Sequence, residues 1–418
     1  PEPIPLSLNA APSVRRDLAA AAASAAAAAE PPAELLRAVG RYALARVDGG
    51  RQTLQVHRLV QAVIRAEMSD SEREEAAHLV HRALAESRPQ FGDVDDPAAW
   101  AALEQLWPHL SASDAHACDD PATRQLLVDR VRYLRRRGDL ERADALGRWL
   151  DTFWTGRHRA DEGQILLLRF ERANVARAQG KYAVALALDE DTLDRQKSRL
   201  GEDHPATLRT AGSLSADRRA LGSFTDALQL DRDILGRLNA SLGRDHPQTL
   251  AVANNLAIDH RLIGDSAAAR DLDRDTAARR LAVLGPQHPY TLTSRFCLAR
   301  DLRELGEHAP SCAILRETVA TCEQVLEPDD LTALRAADSL AVSLRRLGHE
   351  EESGRLARQT YDRYLARYGP GAADALVCTL NLAAVHSAEH DHDTACELAD
   401  RAHQGHARLF GDRHPLTS

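Results

Sequence analysis

Gly201-Glu202-Asp203-His204-Pro205-Ala206-Thr207-Leu208 is the stretch that decides the fold, because it returns. Gly243 to Leu250 repeats its frame with His246-Pro247 and Thr249, and Gly285 to Leu292 repeats it again with His288-Pro289 and Thr291. The step is 42 residues each time, and three further steps, by way of Glu327 and Gly369, reach Gly411 with His414-Pro415. A second landmark keeps the same step: Gly138, Gly180, Gly222, Gly264, Gly306 and Gly348. Five residues after each stands a small residue: Ala143, Ala185, Ala227, Ala269, Ser311 and Ser353. At the next position His390 replaces the glycine, yet Ala395 still follows.

A fixed period of this length is the mark of a solenoid built from one supersecondary unit. The unit reads as a helix hairpin. Helix A runs from the Thr-Leu pair to the turn glycine, which permits a tight left-handed turn. Helix B follows, and its small residue allows close approach. The series Leu214, Leu256, Leu298, Leu340 and Leu382 is expected to face the core. The His-Pro phrase is expected to end helix B, since proline cannot continue a helix. Its threonine is expected to cap the next helix A.

Composition agrees. The chain has 418 residues with 44% hydrophobic and only 4% aromatic content. Such a makeup, rich in Ala and Leu, favours helices. With 62 acidic against 53 basic residues the net charge is -9, which argues against direct nucleic-acid binding. Cys118, Cys297, Cys312, Cys322, Cys378 and Cys396 form no CxxC pair and read as reduced core thiols of a cytoplasmic protein. The least polar run, Leu18 to Ala29, is too short to span a bilayer. The chain opens on Pro1 and stops at Ser418 in mid-pattern, so a piece of a longer protein is expected.

The phrase Leu-Gly-x-x-His-Pro-x-Thr-Leu, followed by Ala253-Asn254-Asn255-Leu256-Ala257, resembles the long tetratricopeptide repeats of kinesin light chains. It is similar also to repeats of actinobacterial regulators, with Asp301 to Gly306 as Asp-Leu-Arg-x-Leu-Gly. The resemblance covers about residues 121–418. It implies an all-α superhelix of about seven units, the last truncated, whose A helices line a concave groove for a protein or peptide.

Before the repeats, Glu34 to Arg41 reads as a helix. Tyr42 to Val47 and Gln52 to Val56 read as a hairpin around Asp48-Gly49-Gly50, and Leu59 to Glu67 as a second helix. Residues 1–70 are therefore expected to form a partial winged-helix module. Residues 71–120 are expected to be a helical connector. Its capping box would be Ser71 to Glu74, Pro97 would open a helix, and Trp100, Leu103 and Trp107 would face the core. Val56-His57-Arg58-Leu59-Val60 resembles the motif closing the nucleotide-binding part of NB-ARC proteins, within the STAND class of signalling ATPases. The resemblance implies that His57 senses nucleotide held by an upstream domain of the same parent chain. Arg58 stands where the family has Asp.

No phosphate loop, GxSxG elbow or HExxH occurs, so no enzyme and no cofactor are expected. His386, His390 and His392 crowd together, but His390 sits at the turn register and no metal site is expected. Three residues before each turn glycine stands an arginine: Arg135, Arg177, Arg219, Arg261, Arg303 and Arg345, with Ser387 ending the series. This register faces the groove by resemblance, and the column suits an acidic or phosphorylated segment. Columns of aspartate at 189, 231 and 273, and at 217, 259 and 301, offer the alternative that the arginines pair between repeats. Asn254, Asn255 and Asn381 are further groove candidates. Two functions stay open: the sensor solenoid of a STAND regulator, or a standalone scaffold such as those of FxSxx-COOH peptide-maturation systems. Neither calls for a membrane.

Overall fold

In the computed structural model, which describes residues 4–5, 45–48, 53–88, 94, 100–159, 162–327 and 329–411, the His-Pro pairs at 204, 246 and 288 each start a helix, and His414-Pro415 lies outside the described residues. His204, His246 and His288 are N-caps with extended backbone. Their Nδ1 atoms each accept the backbone N–H two residues on at 3.2 Å. Proline takes the first helical position, where its missing N–H is no loss. The capping role expected of the threonine thus belongs to the histidine. Thr207, Thr249 and Thr291 are buried two positions past the proline, and Thr207 Oγ1 donates to the Gly201 carbonyl. Helix B also ends earlier than expected. It stops at Gly201 or Gly285, whose φ of +91° and +84° only glycine adopts readily.

The chain forms two compact units, Pro1–Gln179 and Gly180–Ser418. The second unit is a run of helices that pack in sequence order. The first hairpins are α7 (Tyr182–Leu200), α8 (Pro205–Ala220), α9 (Phe224–Ser241), α10 (Pro247–Leu262) and α11 (Ser266–Leu284). Then come α12 (Pro289–Glu304), α13 (His308–Val325), α14 (Leu331–Arg346), α15 (Glu350–Tyr368), α16 (Ala373–Ala388) and α17 (His392–Phe410). The small residues are where close approach demands them: Ala185, Ala227, Ala269, Ser311 and Ser353 are all fully buried. Ser353 Oγ donates to the Ala341 carbonyl at 2.7 Å, so helix B is tied directly to the backbone of helix A. The apolar core is not one centre but a series, around Leu208, Leu214 and Ile234, then Leu315 and Leu340, then Tyr364 and Leu382. That is how stacked repeats bury surface, each against its neighbours. Of the expected leucine series, Leu214, Leu256, Leu340 and Leu382 are buried and Leu298 is half-buried. Tyr182 at the start of the unit stacks on Phe410 at its end, 5.9 Å between ring centres.

The first unit contains β1 (Ile4–Pro5), β2 (Ala45–Asp48) and β3 (Thr53–Val56). The expected hairpin is present: β2 pairs antiparallel with β3, Val47 opposite Leu54. β1 adds a third strand on the other edge of β3, giving the order β1-β3-β2. Then follow α1 (Arg58–Glu67), α2 (Asp70–Glu86), α3 (Trp100–Ala112), α4 (Pro121–Arg136), α5 (Leu140–Thr155) and α6 (Gly163–Ala178). The capping box of α2 is Ser69 with Glu72, not Ser71 with Glu74. α1 has already ended at Met68, and the earlier start places Asp70 and Glu72 in the first turn, where the helix dipole favours them. Leu103 and Trp107 are in the core with Trp100 packed against it, joined by Leu126, Tyr133 and Trp154. Glu34–Arg41 and Pro97 lie outside the described residues. Five of the six cysteines are buried; Cys396 is exposed, so it is not a core thiol. No helix among the described residues is long and apolar enough to cross a membrane.

Candidate functional site: an arginine-lined groove

The arginine column splits in two. Arg219 donates to Asp259 Oδ1 at 2.5 Å and to Asp231 Oδ2 at 2.9 Å. One repeat on, Arg261 makes the same two bonds, to Asp301 and, at 2.7 Å, to Asp273. All four carboxylates are fully buried. Each rung therefore ties helix A of one repeat to its own helix B and to helix A of the next. Two carboxylates around one guanidinium leave an excess negative charge away from water. Burial raises the Asp231 carboxyl to about 8, Arg219 opposes this, and the like charge of Asp259 adds to it. Asp273 is raised to about 8 for the same reasons. One proton per rung relieves the repulsion.

The next rungs lack their carboxylates. At the registers of Asp273 and Asp301 the following repeat carries Leu315 and Ser343, and the one after it Ala357 and Val385. Arg303 turns instead to Ser339, donating to its carbonyl and hydroxyl at 3.2 and 2.7 Å, with Glu304 at 3.5 Å on its own helix. Among the described residues Arg345 has no carboxylate partner. Here, where the pairing stops, the groove opens into a cavity of about 810 Å³.

Its walls are α10, α12, α14 and α16, with His308 of α13 and Tyr364 of α15. Five arginines line it (300, 303, 335, 345, 346) against three carboxylates, Glu304, Asp338 and Asp374. Arg335 is committed to Asp374 through two bonds of 2.7 and 2.8 Å. Arg300 lies over Phe296, 5.8 Å from the ring centre, and its Nε is buried with no hydrogen-bond acceptor. Burial and the nearby Arg261 hold Arg300 below the usual arginine range. Burial and Arg346 do the same to Arg345. Three guanidiniums, Arg300, Arg345 and Arg346, thus line one cavity without an ion pair among the described residues, Asp301 and Asp273 acting on Arg300 only at longer range. Asp338 is raised to about 6 by burial, although Asn381 donates to it at 2.7 Å. Phe296, Ile258 and Val342 supply apolar wall between the charges.

Of the groove residues named from sequence, Asn254, Arg303, Arg345 and Asn381 line this cavity. Arg219 and Arg261 are in the sealed rungs. The Asn254 side-chain oxygen Oδ1 faces Arg280, which donates toward it at 3.4 Å and to Ser294 Oγ at 2.8 Å. Asn255 is half-buried on α10, outside the cavity lining. Arg177 belongs to the first unit and donates to Asn174 at 2.7 Å. His57 is exposed and caps α1, its Nδ1 accepting from Leu59 N–H at 3.3 Å. Arg300 and Arg346 were missed. Their registers read Ala216, Ile258, Arg300, Val342 and Ala220, Leu262, Glu304, Arg346, so no column announces them.

Protein-family models described as tetratricopeptide repeat match residues 164–238 and 214–282, and further ones match 291–331 and 376–416. No curated protein matches the chain. Among solved structures, it is similar to a Rap protein complexed with competence and sporulation factor. The TM-score is 0.61 at 11% identity, over 85% of this chain and 92% of that one. It is similar to NprR in complex with its cognate peptide NprX, with TM-score 0.53 at 12% identity over 82% and 91% of the two chains. Kinesin-light-chain TPR-like repeats from Podosopora anserina share 24% identity over 47% of this chain and 93% of theirs, with TM-score 0.42. These likenesses concern the fold. The chain carries tetratricopeptide repeats over residues 164–282, 291–331 and 376–416, and the groove lies among them.

Proposed function

We propose that the groove binds an acidic segment of a protein or peptide, seating carboxylates on Arg300, Arg345 and Arg346. The observation that carries this is the buried, unsatisfied Nε of Arg300 beside two further unpaired guanidiniums. An unmet charged donor away from water is costly, and a carboxylate removes that cost through paired charge-assisted bonds. The apolar wall of Phe296, Ile258 and Val342 suits side chains between the acids. That NprR, of the same fold, was solved in complex with its cognate peptide NprX supports the class of ligand. A Glu-rich peptide bearing a photoreactive residue tests it. Crosslinks to α12 and α14 are expected, and crosslinks confined to other helices would count against the reading.

In this reading the array is the sensor part of a STAND regulator, as the segment Val56 to Val60 and the repeats after it suggest by resemblance. A phosphate loop encoded upstream of Pro1 supports that setting; an upstream sequence without one removes it in favour of a standalone scaffold.

A further inference from the structure

Away from the groove, in the first unit, three metal-ligating side chains converge. His78 and His81 are one turn apart on α2, and Cys118 follows the short 3-10 turn Ala115–Ala117 after α3. One ligand atom from each lies within 4.8 Å of the others. Cys118 Sγ stands 3.6 Å from His78 Nδ1. A tetrahedral zinc ion with bonds of about 2.3 Å to sulfur and about 2.05 Å to nitrogen places two such ligands about 3.6 Å apart.

The tautomer that the hydrogen bond of His81 selects also suits a ligand. Its Nε2 lies 2.7 Å from the Ser113 carbonyl oxygen, which only accepts, so Nε2 carries the hydrogen. The lone pair is then on Nδ1, which is buried with no partner. A ligating histidine whose other nitrogen donates to a backbone carbonyl is the usual outer-shell arrangement around a metal.

We propose that His78, His81 and Cys118 bind a divalent ion of the zinc class, with a fourth position for water on the side of the exposed His78. Thiolate plus two imidazoles is a donor set for borderline-soft ions rather than for magnesium or calcium. On binding, the Cys118 thiol gives its proton to solvent and the sulfur bonds to the metal. The ion clips α2 to the segment that leads into α4. Arg124 holds that segment from the other side, donating from Nε to the Cys118 carbonyl at 2.9 Å.

Titrating the full chain with Co(II) alone tests this. One equivalent is expected to give a thiolate-to-cobalt charge-transfer band with the visible bands of a tetrahedral ion, and Zn(II) is expected to displace it. Cys118→Ser is expected to lose the charge-transfer band. His78→Ala, at an exposed position that leaves folding intact, is expected to weaken binding about tenfold or more. Circular dichroism confirms that both variants are folded. Absence of the band in the wild type at one equivalent overturns the proposal, and so does a band of unchanged strength in both folded variants.

Discussion

Arg219 donates to Asp259, 40 residues along the chain, and Arg261 does the same to Asp301. This one contact, repeated, makes the difference between an arginine column that is structure and one that is surface. At Arg219 and Arg261 the aspartates persist and the guanidinium is sealed between repeats, and where they give way to Leu315, Ser343, Ala357 and Val385 it is left to face the groove.

The sealed rungs are expected to hold the array together. Arg261→Ala leaves Asp273 and Asp301 buried without their cation, and loss of one partner of a buried pair costs about 3–5 kcal/mol. Urea denaturation is the measurement. The exposed pair of Arg316 with Glu352 is the control: Arg316→Ala is expected to cost about 1 kcal/mol or less.

The same rungs make stability depend on pH. Unfolded, the Asp231 and Asp273 carboxyls ionise near 3.8; folded, they hold protons up to about 8. The folded state therefore binds more protons in that window. Its advantage is full below the lower value and is lost as pH rises toward 8. Melting temperature is expected to fall between pH 6 and pH 9 in the wild type, and Asp231→Asn combined with Asp273→Asn is expected to flatten that fall.

Restoring a missing carboxylate is expected to close part of the groove. Ser343 stands at the register of Asp301, and Arg303 at that of Arg261. Ser343→Asp is expected to draw Arg303 away from Ser339 into a new rung and to weaken binding of a Glu-rich peptide. Fluorescence anisotropy of a labelled peptide reads the change.

His390 adopts a φ of +64° at the turn where the other repeats have glycine. Left-handed backbone costs a residue with a Cβ roughly 1 kcal/mol or more. His390→Gly is expected to stabilise the chain by about 1 kcal/mol on thermal melting.

The hairpins, their turns and their close contacts were legible because each rests on residues that recur at one interval: Gly222 with Gly264, Ala227 with Ala269. The rungs were legible as candidates for the same reason, since Arg219, Asp231 and Asp259 recur together. Which columns pair was harder to read, because burial decides it and no single position displays burial. Arg300 belongs to no column at all. The capping by His204 was hidden behind the more familiar Thr207, whose place inside the helix follows from proline at the first position. His78, His81 and Cys118 were invisible for a different reason: an irregular link separates them, and no period predicts where such a link returns.

Free arginines where the carboxylate ladder ends are the proposed seat of the acidic ligand. The most direct test is the affinity of a Glu-rich peptide for the wild type and for Arg300→Gln with Arg345→Gln, measured at low and high salt. Binding that weakens with salt and falls roughly tenfold to hundredfold in the double variant, while Arg355→Gln outside the groove changes nothing, is the expected result. Equal affinity in the wild type and the folded double variant would contradict it.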